Sequence, residues 1–207
     1  MNELLAFALT ALVIELTPGP NMTYLAALSL SSGMRTGLAA VTGIALGLAT
    51  YGIIAAFGLA AVIDESPLLY SLLRWGGVLY LLWLAWESWT GGNEALSETG
   101  DERSWAAFRR GLITNLLNPK AAVFYIAVLP EFIRPDGAPV ARQTLTLSIV
   151  YVSIATLIHA TIVLLAGSLQ STIITANNRR IIRLAFALIL VGIAIWFALT
   201  TGRSTPA

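Results

Sequence analysis

Two short stretches decide the fold that we predict for this chain: ELTPGPN at residues 15–21 and NLLNPK at residues 115–120. Both lie inside long apolar segments, and both contain proline where a helix would otherwise continue. Proline lacks an N–H, and its ring clashes with the carbonyl four residues earlier, so it breaks the helix and frees that carbonyl. The two stretches therefore predict broken helices with free carbonyls at Ile14, Leu16 and Asn115.

The chain around these breaks is too apolar for a soluble domain. Its 207 residues are 57% hydrophobic and only 11% charged, whereas soluble domains are about 45–50% apolar and about 25% charged. Six apolar segments approach or exceed the roughly 20 residues that a membrane span needs, at about residues 4–30, 37–63, 67–89, 111–132, 144–169 and 181–200. We predict an all-α membrane protein with six transmembrane helices, because a lipid-exposed span must satisfy its own backbone groups.

The breaks fall in the first and fourth segments, so each opens a group of three. Because three is an odd number, two similar triplets would insert with opposite orientations. Inverted repeats with broken helices are typical of secondary transporters. We therefore predict one transmembrane domain over residues 1–207, with repeat 1 at about 1–90, a polar loop at about 91–110 and repeat 2 at about 111–203.

The arginines favour an N-terminus outside the cell, because cytoplasmic flanks carry the excess of basic residues. In that orientation seven arginines flank the cytoplasmic side and four the outer side. The cytoplasmic set is Arg35, Arg103, Arg109, Arg110, Arg179, Arg180 and Arg183, and the outer set is Arg74, Arg134, Arg142 and Arg203. If the broken first segment did not cross fully, the N-terminus would instead lie inside.

Glu15 lies midway along the first apolar segment. A charge there costs about 2.5–3.5 kcal/mol on insertion scales, which makes it a candidate functional residue and, in its neutral form, a proton carrier. The break beside it exposes carbonyls and the positive end of a half-helix, which match the ammonium and carboxylate of an amino acid. This candidate binding stretch is Thr17, Pro18, Gly19, Pro20 and Asn21. A structural ion pair or an anchor for the kink is the alternative interpretation of Glu15.

The second break supplies further candidates: Asn115, Asn118, Pro119 and Lys120. Asn115 and Asn118 are three residues apart and share a helical face. Lys120, the only lysine in the chain, either neutralises Glu15, binds a substrate carboxylate or extends its stem to water. The only histidine, His159, is either a proton relay with Glu15 or a hydrogen-bonded packing residue.

These motifs resemble the signature of the lysine exporter and homoserine/threonine-resistance (LysE/RhtB) translocator family. The resemblance rests on TPGPN at 17–21, GLITNLLNPKA at 111–121, PEF at 130–132, and on Gly33, Arg35, Gly37, Gly43, Gly47, Gly76, Tyr80 and Leu81. It covers most of the chain, although the last two spans match mainly in hydropathy. It implies a multi-pass protein of the bacterial inner membrane that exports amino acids or close derivatives, driven by the proton gradient. The functional positions that it implies are Glu15, Pro18, Gly19, Pro20, Asn21, Asn118, Pro119 and Lys120.

Other functions fit the composition less well. The chain has no cysteine and one histidine, so it offers few ligands to a transition metal, and we predict neither a metal site nor a cofactor. Its net charge of +1 argues against nucleic acid as a partner. Three alternatives stay open: export of another small solute or ion, an intramembrane enzyme using Glu15 and His159, and a scaffold subunit. The expected partners are an amino acid, protons and the lipid bilayer; the sequence leaves open whether the chain forms a homo-oligomer.

Overall fold

The computed structural model describes residues 3–17, 19–58, 66–90, 100–173 and 179–200. Within these ranges the chain is helical apart from short turns, and none of the described residues forms a strand. The helices are α1 (Glu3–Leu16), α2 (Pro20–Ser32), α3 (Met34–Ala56), α4 (Pro67–Thr90), α5 (Gly100–Leu116), α6 (Pro119–Val123), α7 (Val140–Ile173) and α8 (Arg179–Thr200). A π-helical turn and a 3₁₀ turn continue α6 to Phe132.

Both predicted helix breaks are present. The chain bends by 58° between α1 and α2 and by 52° between α5 and the segment that starts with α6. Pro20 and Pro119 each occupy the first turn of the second half-helix. A proline is tolerated there because the N–H that it lacks would have no partner within the helix. Pro18 lies outside the described residues.

The prediction of free carbonyls is wrong for two of the three residues. The Ile14 carbonyl accepts a hydrogen bond from the Thr17 N–H at 3.1 Å, and the Asn115 carbonyl accepts one from the Asn118 N–H at 2.9 Å. Both bonds join residues three apart, as in the tight final turn of many helices. Each first half-helix therefore closes on itself before the break, and later carbonyls become available instead.

The membrane-spanning character of the chain is clear from its long apolar helices. Met34–Ala56 and Val140–Leu169 can each cross a membrane by length and composition, and the bent pairs bring the number of candidate spans among the described residues to at most four. Shorter apolar stretches occupy Trp75–Trp86 of α4 and Ala187–Trp196 of α8. The chain is an all-helical, multi-pass membrane protein.

Helix α3 is the element on which the interior is built, because it packs along both α5 and α7. Glycines permit the contact with α5: a Cβ at Gly43 would overlap the backbone of Phe108, and one at Gly111 would overlap the backbone of Ala40. Small residues let helix backbones approach closely in membranes. Helix α7 also contacts α1 and α2, while α4 packs on α8.

The polar stretch predicted as a loop at 91–110 is helical from Gly100 onward, so the prediction is wrong for its second half. Asp101 and Glu102 lie in the first turn of α5, where negative side chains stabilise the positive end of a helix. Asp101 also pairs with Arg35 of α3 at 2.6 Å. Both side chains are largely exposed, so this pair contributes little to stability.

Replacing Gly43 or Gly111 with alanine tests the close packing of α3 on α5. We expect each substitution to destabilise the fold by about 1–3 kcal/mol, because the added methyl group meets backbone that cannot move aside. Gly192→Ala is the matched control, since outside its own helix turn no atom of the described residues lies within 4 Å of its added Cβ. Thermal unfolding followed by tryptophan fluorescence measures the difference; equal midpoints for all three variants would contradict this packing.

Candidate functional site

Glu15, in the last turn of α1, is buried with 5% of its surface exposed. Two side chains of α7 face its carboxylate. The Tyr151 hydroxyl donates a 2.6 Å hydrogen bond to Oε1, and His159 Nε2 lies 3.6 Å from Oε2. Between them on the same helical face is Ala155, which is fully buried. We call Glu15, Tyr151 and His159 the carboxylate cluster.

His159 is the residue of this cluster whose side-chain nitrogens can still form hydrogen bonds. It is 1% exposed, and neither ring nitrogen has a hydrogen-bond partner among the described residues. Buried polar groups are normally paired, so an unpaired imidazole beside a carboxylate is unusual. One ring nitrogen faces Glu15 while the other remains available, so the pair can accept, hold and pass on a proton.

The first break is joined to the second by Lys120. Its ammonium donates a 2.8 Å hydrogen bond to the carbonyl of Thr17. The Lys120 side chain passes against Gly19, where a Cβ would lie 3.4 Å from Lys120 Cδ, an ordinary van der Waals distance. Of the roles considered for Lys120, a direct ion pair with Glu15 is absent from the described residues, where Glu15 instead pairs with His159. The ammonium is thus bonded at the end of α1, where a positive charge is favourable, and it lies next to Gly19, the N-cap residue of α2.

A second contact between the breaks joins two of the predicted asparagines. Asn21 Nδ2 donates to Asn115 Oδ1 at 2.9 Å, and both residues are buried. Asn21 Oδ1 and Asn115 Nδ2 have no partner within the described part of the chain. Gly47 permits this placement, since a Cβ there would lie 2.7 Å from Asn115 Nδ2. One amide acceptor and one amide donor are thus held in the interior without partners.

Asn118 has a different role from Asn115, although the two share a helical face. Its side-chain oxygen accepts a 3.0 Å hydrogen bond from the Lys120 N–H and so caps α6. Caps of this kind stabilise a helix start by about 1 kcal/mol. Asn118 therefore orients the half-helix that carries Lys120. The side chain of Pro119 lies outside the described residues.

Two tyrosines that sequence reasoning missed complete the site. Tyr151 binds Glu15, as described above, and the Tyr51 hydroxyl donates a 2.8 Å hydrogen bond to the Leu116 carbonyl at the second break. The sequence pattern that could have identified them is a tyrosine within an apolar span, on the same helical face as other polar residues. For Tyr151 those residues are Ser148 and His159, which are also buried.

The chemistry of these groups suits an organic ion better than a metal. Among the described residues, no group of three or more histidine, aspartate, glutamate or cysteine side chains is placed to hold a metal ion. The site instead combines one carboxylate, one ammonium and two unpaired amide atoms. Together these groups can hydrogen-bond both charged ends of a small zwitterion.

Comparison with known proteins identifies relatives of this chain. A family model described as LysE type translocator matches residues 12–201. An uncharacterized membrane protein of Vibrio cholerae is 35% identical over 177 residues, 84% of this chain and 85% of the relative. A homoserine/homoserine lactone efflux protein of Salmonella typhimurium is 30% identical over 141 residues, covering 66% and 68% of the two chains. A leucine efflux protein of Enterobacter sp. is 35% identical over 131 residues, covering 61% and 62%. No solved structure gives a significant match.

The contact between the breaks can be tested by a double-mutant cycle on Asn21 and Asn115. We expect Asn21→Ala and Asn115→Ala each to destabilise the fold by about 1–3 kcal/mol, because each leaves a buried amide unpaired. The double variant should lose less than the sum, by about 0.5–3 kcal/mol. Denaturation by SDS in mixed micelles measures these differences. Thr42→Ala, at an exposed site, is the control, and strict additivity would show that the two amides do not interact.

Proposed function

Because the chain belongs to the LysE type translocator family, we propose that it is a secondary transporter that exports amino acids or close derivatives from the cytoplasm by proton antiport. The observation that carries this proposal is the buried carboxylate of Glu15 beside two broken helices whose side chains contact one another. The names of two relatives, efflux proteins for homoserine or its lactone and for leucine, support an amino acid as the substrate.

The proposed topology has six transmembrane helices arranged as two inverted three-helix repeats, with the N-terminus outside. The bends of 58° and 52° at corresponding positions of the two halves support it, as do the apolar stretches of α4 and α8. Inverted repeats bring broken helices together near the middle of the bilayer. The bent pairs and α3 and α7 then supply four spans, and α4 and α8 the remaining two.

The substrate carboxylate binds at the start of α2, in the proposed mechanism. The N-cap of this helix is Gly19, which has no side chain to cap it, so the first N–H groups of the helix are available. Lys120 lies against the same residue. Its ammonium would exchange the Thr17 carbonyl for the substrate carboxylate, which is the stronger, charge-assisted partner.

The substrate ammonium binds the ionised carboxylate of Glu15. Asn21 Oδ1 and Asn115 Nδ2, which have no protein partner among the described residues, can accept from the ammonium and donate to the carboxylate. Burying unpaired polar atoms is unfavourable, so a ligand that pairs them gains free energy. Recognition of both charged ends in this way selects amino acids over simple amines or acids.

Coupling follows from competition for one carboxylate. A proton arriving from the outside neutralises Glu15, and the neutral acid no longer holds the ammonium, so the substrate is released outward. His159 then passes the proton toward the cytoplasm, and Tyr151 holds the carboxylate in place throughout. Because proton and substrate exclude one another at Glu15, inward proton movement is tied to outward movement of the amino acid while the repeats rock.

An intramembrane enzyme is the alternative that the geometry supports next best, because Glu15 and His159 form an acid–base pair at 3.6 Å. Acid–base chemistry, however, needs neither two broken helices nor contacts between them. Export of another small solute or ion would use the same breaks but not the pairing of an ammonium site with a carboxylate site. Counterflow distinguishes both alternatives from amino-acid export.

Counterflow in proteoliposomes tests the proposed function. We expect saturable exchange of one or more amino acids from a labelled panel, accelerated by an imposed pH gradient. Glu15→Gln should reduce exchange at least about tenfold and remove the response to the gradient, because it deletes the shared charge. Glu131→Gln, at an exposed position beyond the second break, is the matched control and should behave as the wild type.

Two results would contradict this mechanism. Unchanged pH dependence in Glu15→Gln would overturn the coupling scheme while leaving amino-acid transport intact. Absence of exchange for every amino acid, with the protein shown to be folded, would instead favour another cargo, and after that the enzyme or scaffold alternatives.

A role of Lys120 in binding the substrate carboxylate can be distinguished from a structural role by comparing inhibitors with and without a carboxylate. For a leucine-transporting protein these are leucine and 3-methylbutylamine, and an equivalent pair suits another substrate. We expect Lys120→Gln to weaken competition by the amino acid about tenfold and to leave competition by the amine unchanged. Arg109→Gln removes one exposed positive charge elsewhere and serves as the control. Equal weakening of both inhibitors would show that Lys120 acts only on the fold.

A further inference from the structure

A cavity of about 470 Å³ lies away from the carboxylate cluster, between the start of α1, the loop 133–139 and the start of α7. Its size falls within the range of about 300–1,000 Å³ typical of small-molecule pockets. Its walls include one acidic and two basic side chains together with apolar ones. The residues that matter here are Glu3, Phe132, Arg134, Arg142 and Thr146.

The charges of this cavity are complementary to a zwitterion. Arg134 Nε lies 3.3 Å from a carboxylate oxygen of Glu3, and Arg142 lines the same space. The side chains of the ion pair are more than half exposed, and an exposed pair contributes little to stability. A ligand carboxylate can therefore replace Glu3 at Arg134 with little loss, and Glu3 can then bind the ligand ammonium.

The wall that carries Arg134 is held by Gln143. The side-chain oxygen Oε1 of Gln143 accepts a 3.0 Å hydrogen bond from the backbone N–H of Arg134. The side-chain nitrogen Nε2 donates to the backbone carbonyl of Arg134 at 2.9 Å and to that of Ala138. Three hydrogen bonds from one side chain fix the loop against α7. The guanidinium is thus presented from a braced backbone, which reduces the entropy lost when a ligand binds.

A continuous layer of aromatic rings connects the cavity with the carboxylate cluster. Phe132 lines the cavity and packs on Phe7, with ring centroids 5.2 Å apart. Phe7 packs on Phe124 at 5.9 Å, and Phe124 stacks on Tyr151 at 3.6 Å. Tyr151 binds Glu15. Phe7, Phe124 and Tyr151 are at most 1% exposed, so packed aromatic rings lie between the cavity wall and Glu15.

From this geometry we infer that the cavity is an external binding site for the exported zwitterion, separated from the central site by the aromatic layer. Arg134 and Arg142 bind the carboxylate, and Glu3 binds the ammonium. The inference rests on the proposed function and on its placement of the N-terminus outside. An amino acid released from Glu15 occupies this site before it leaves the protein, and external amino acid binds there first when exchange runs inward.

Site-directed labelling tests the inference without relying on transport. The chain contains no cysteine, so Thr146→Cys places one thiol in the cavity wall. We expect a membrane-impermeant maleimide to label it in intact cells, and external homoserine or leucine, each tested in turn, to slow the labelling. Asp136→Cys, in the loop but outside the cavity wall, should be labelled without protection.

Charge variants on the Thr146→Cys background identify the binding groups. Arg142→Gln and Glu3→Gln should each raise the half-protecting concentration about tenfold. Arg109→Gln, on α5, should not change it. Retention on gel filtration confirms that each variant is folded before its labelling is interpreted.

The outcomes separate this inference from the proposed function. Labelling of Thr146→Cys only after permeabilisation would overturn the external placement of the cavity. Counterflow of an amino acid in the wild type without protection of the thiol would overturn the site and leave the transporter proposal standing. Protection that depends on Arg142 and Glu3, in a protein that shows no counterflow, would support the site and overturn the proposed transport.

Discussion

A carboxylate inside a membrane has no water to solvate it, so the protein must supply its partners. Glu15 receives them from one helix: Tyr151 at 2.6 Å and His159 at 3.6 Å, both on α7. This requirement fixes the position of the end of α1 against α7. The first break begins two residues after Glu15, so the same contact places the break in the interior.

The two breaks depend on each other for their polar contacts. Proline sets where each helix stops, but the groups that become available are satisfied by the opposite half of the chain. Lys120 bonds the Thr17 carbonyl, and Asn21 bonds Asn115. Among the described residues these contacts are polar, and in the proposed mechanism each is exchanged for a contact with the substrate.

The rest of the interior is built differently, from backbones that approach closely. Gly43 and Gly111 bring α3 and α5 together so tightly that a methyl group would overlap the opposite backbone. Close packing of this kind does not deform continuously. The molecule therefore combines a rigid contact between α3 and α5 with an exchangeable polar contact between the breaks, a combination that suits alternating access around a fixed site.

The sequence by itself determined the helical membrane class and the positions of the breaks, and it singled out Glu15 as a candidate site residue, because composition and proline placement act within a few residues of where they occur. It also carried the resemblance to the translocator family. Only the tertiary structure decided which groups meet. The hydrogen bonds Asn21–Asn115, Lys120–Thr17 and Tyr151–Glu15 join residues 94, 103 and 136 positions apart. Hydropathy and helical periodicity place each residue on a face of its own helix, but glycine-mediated packing of one helix on another sets these distances.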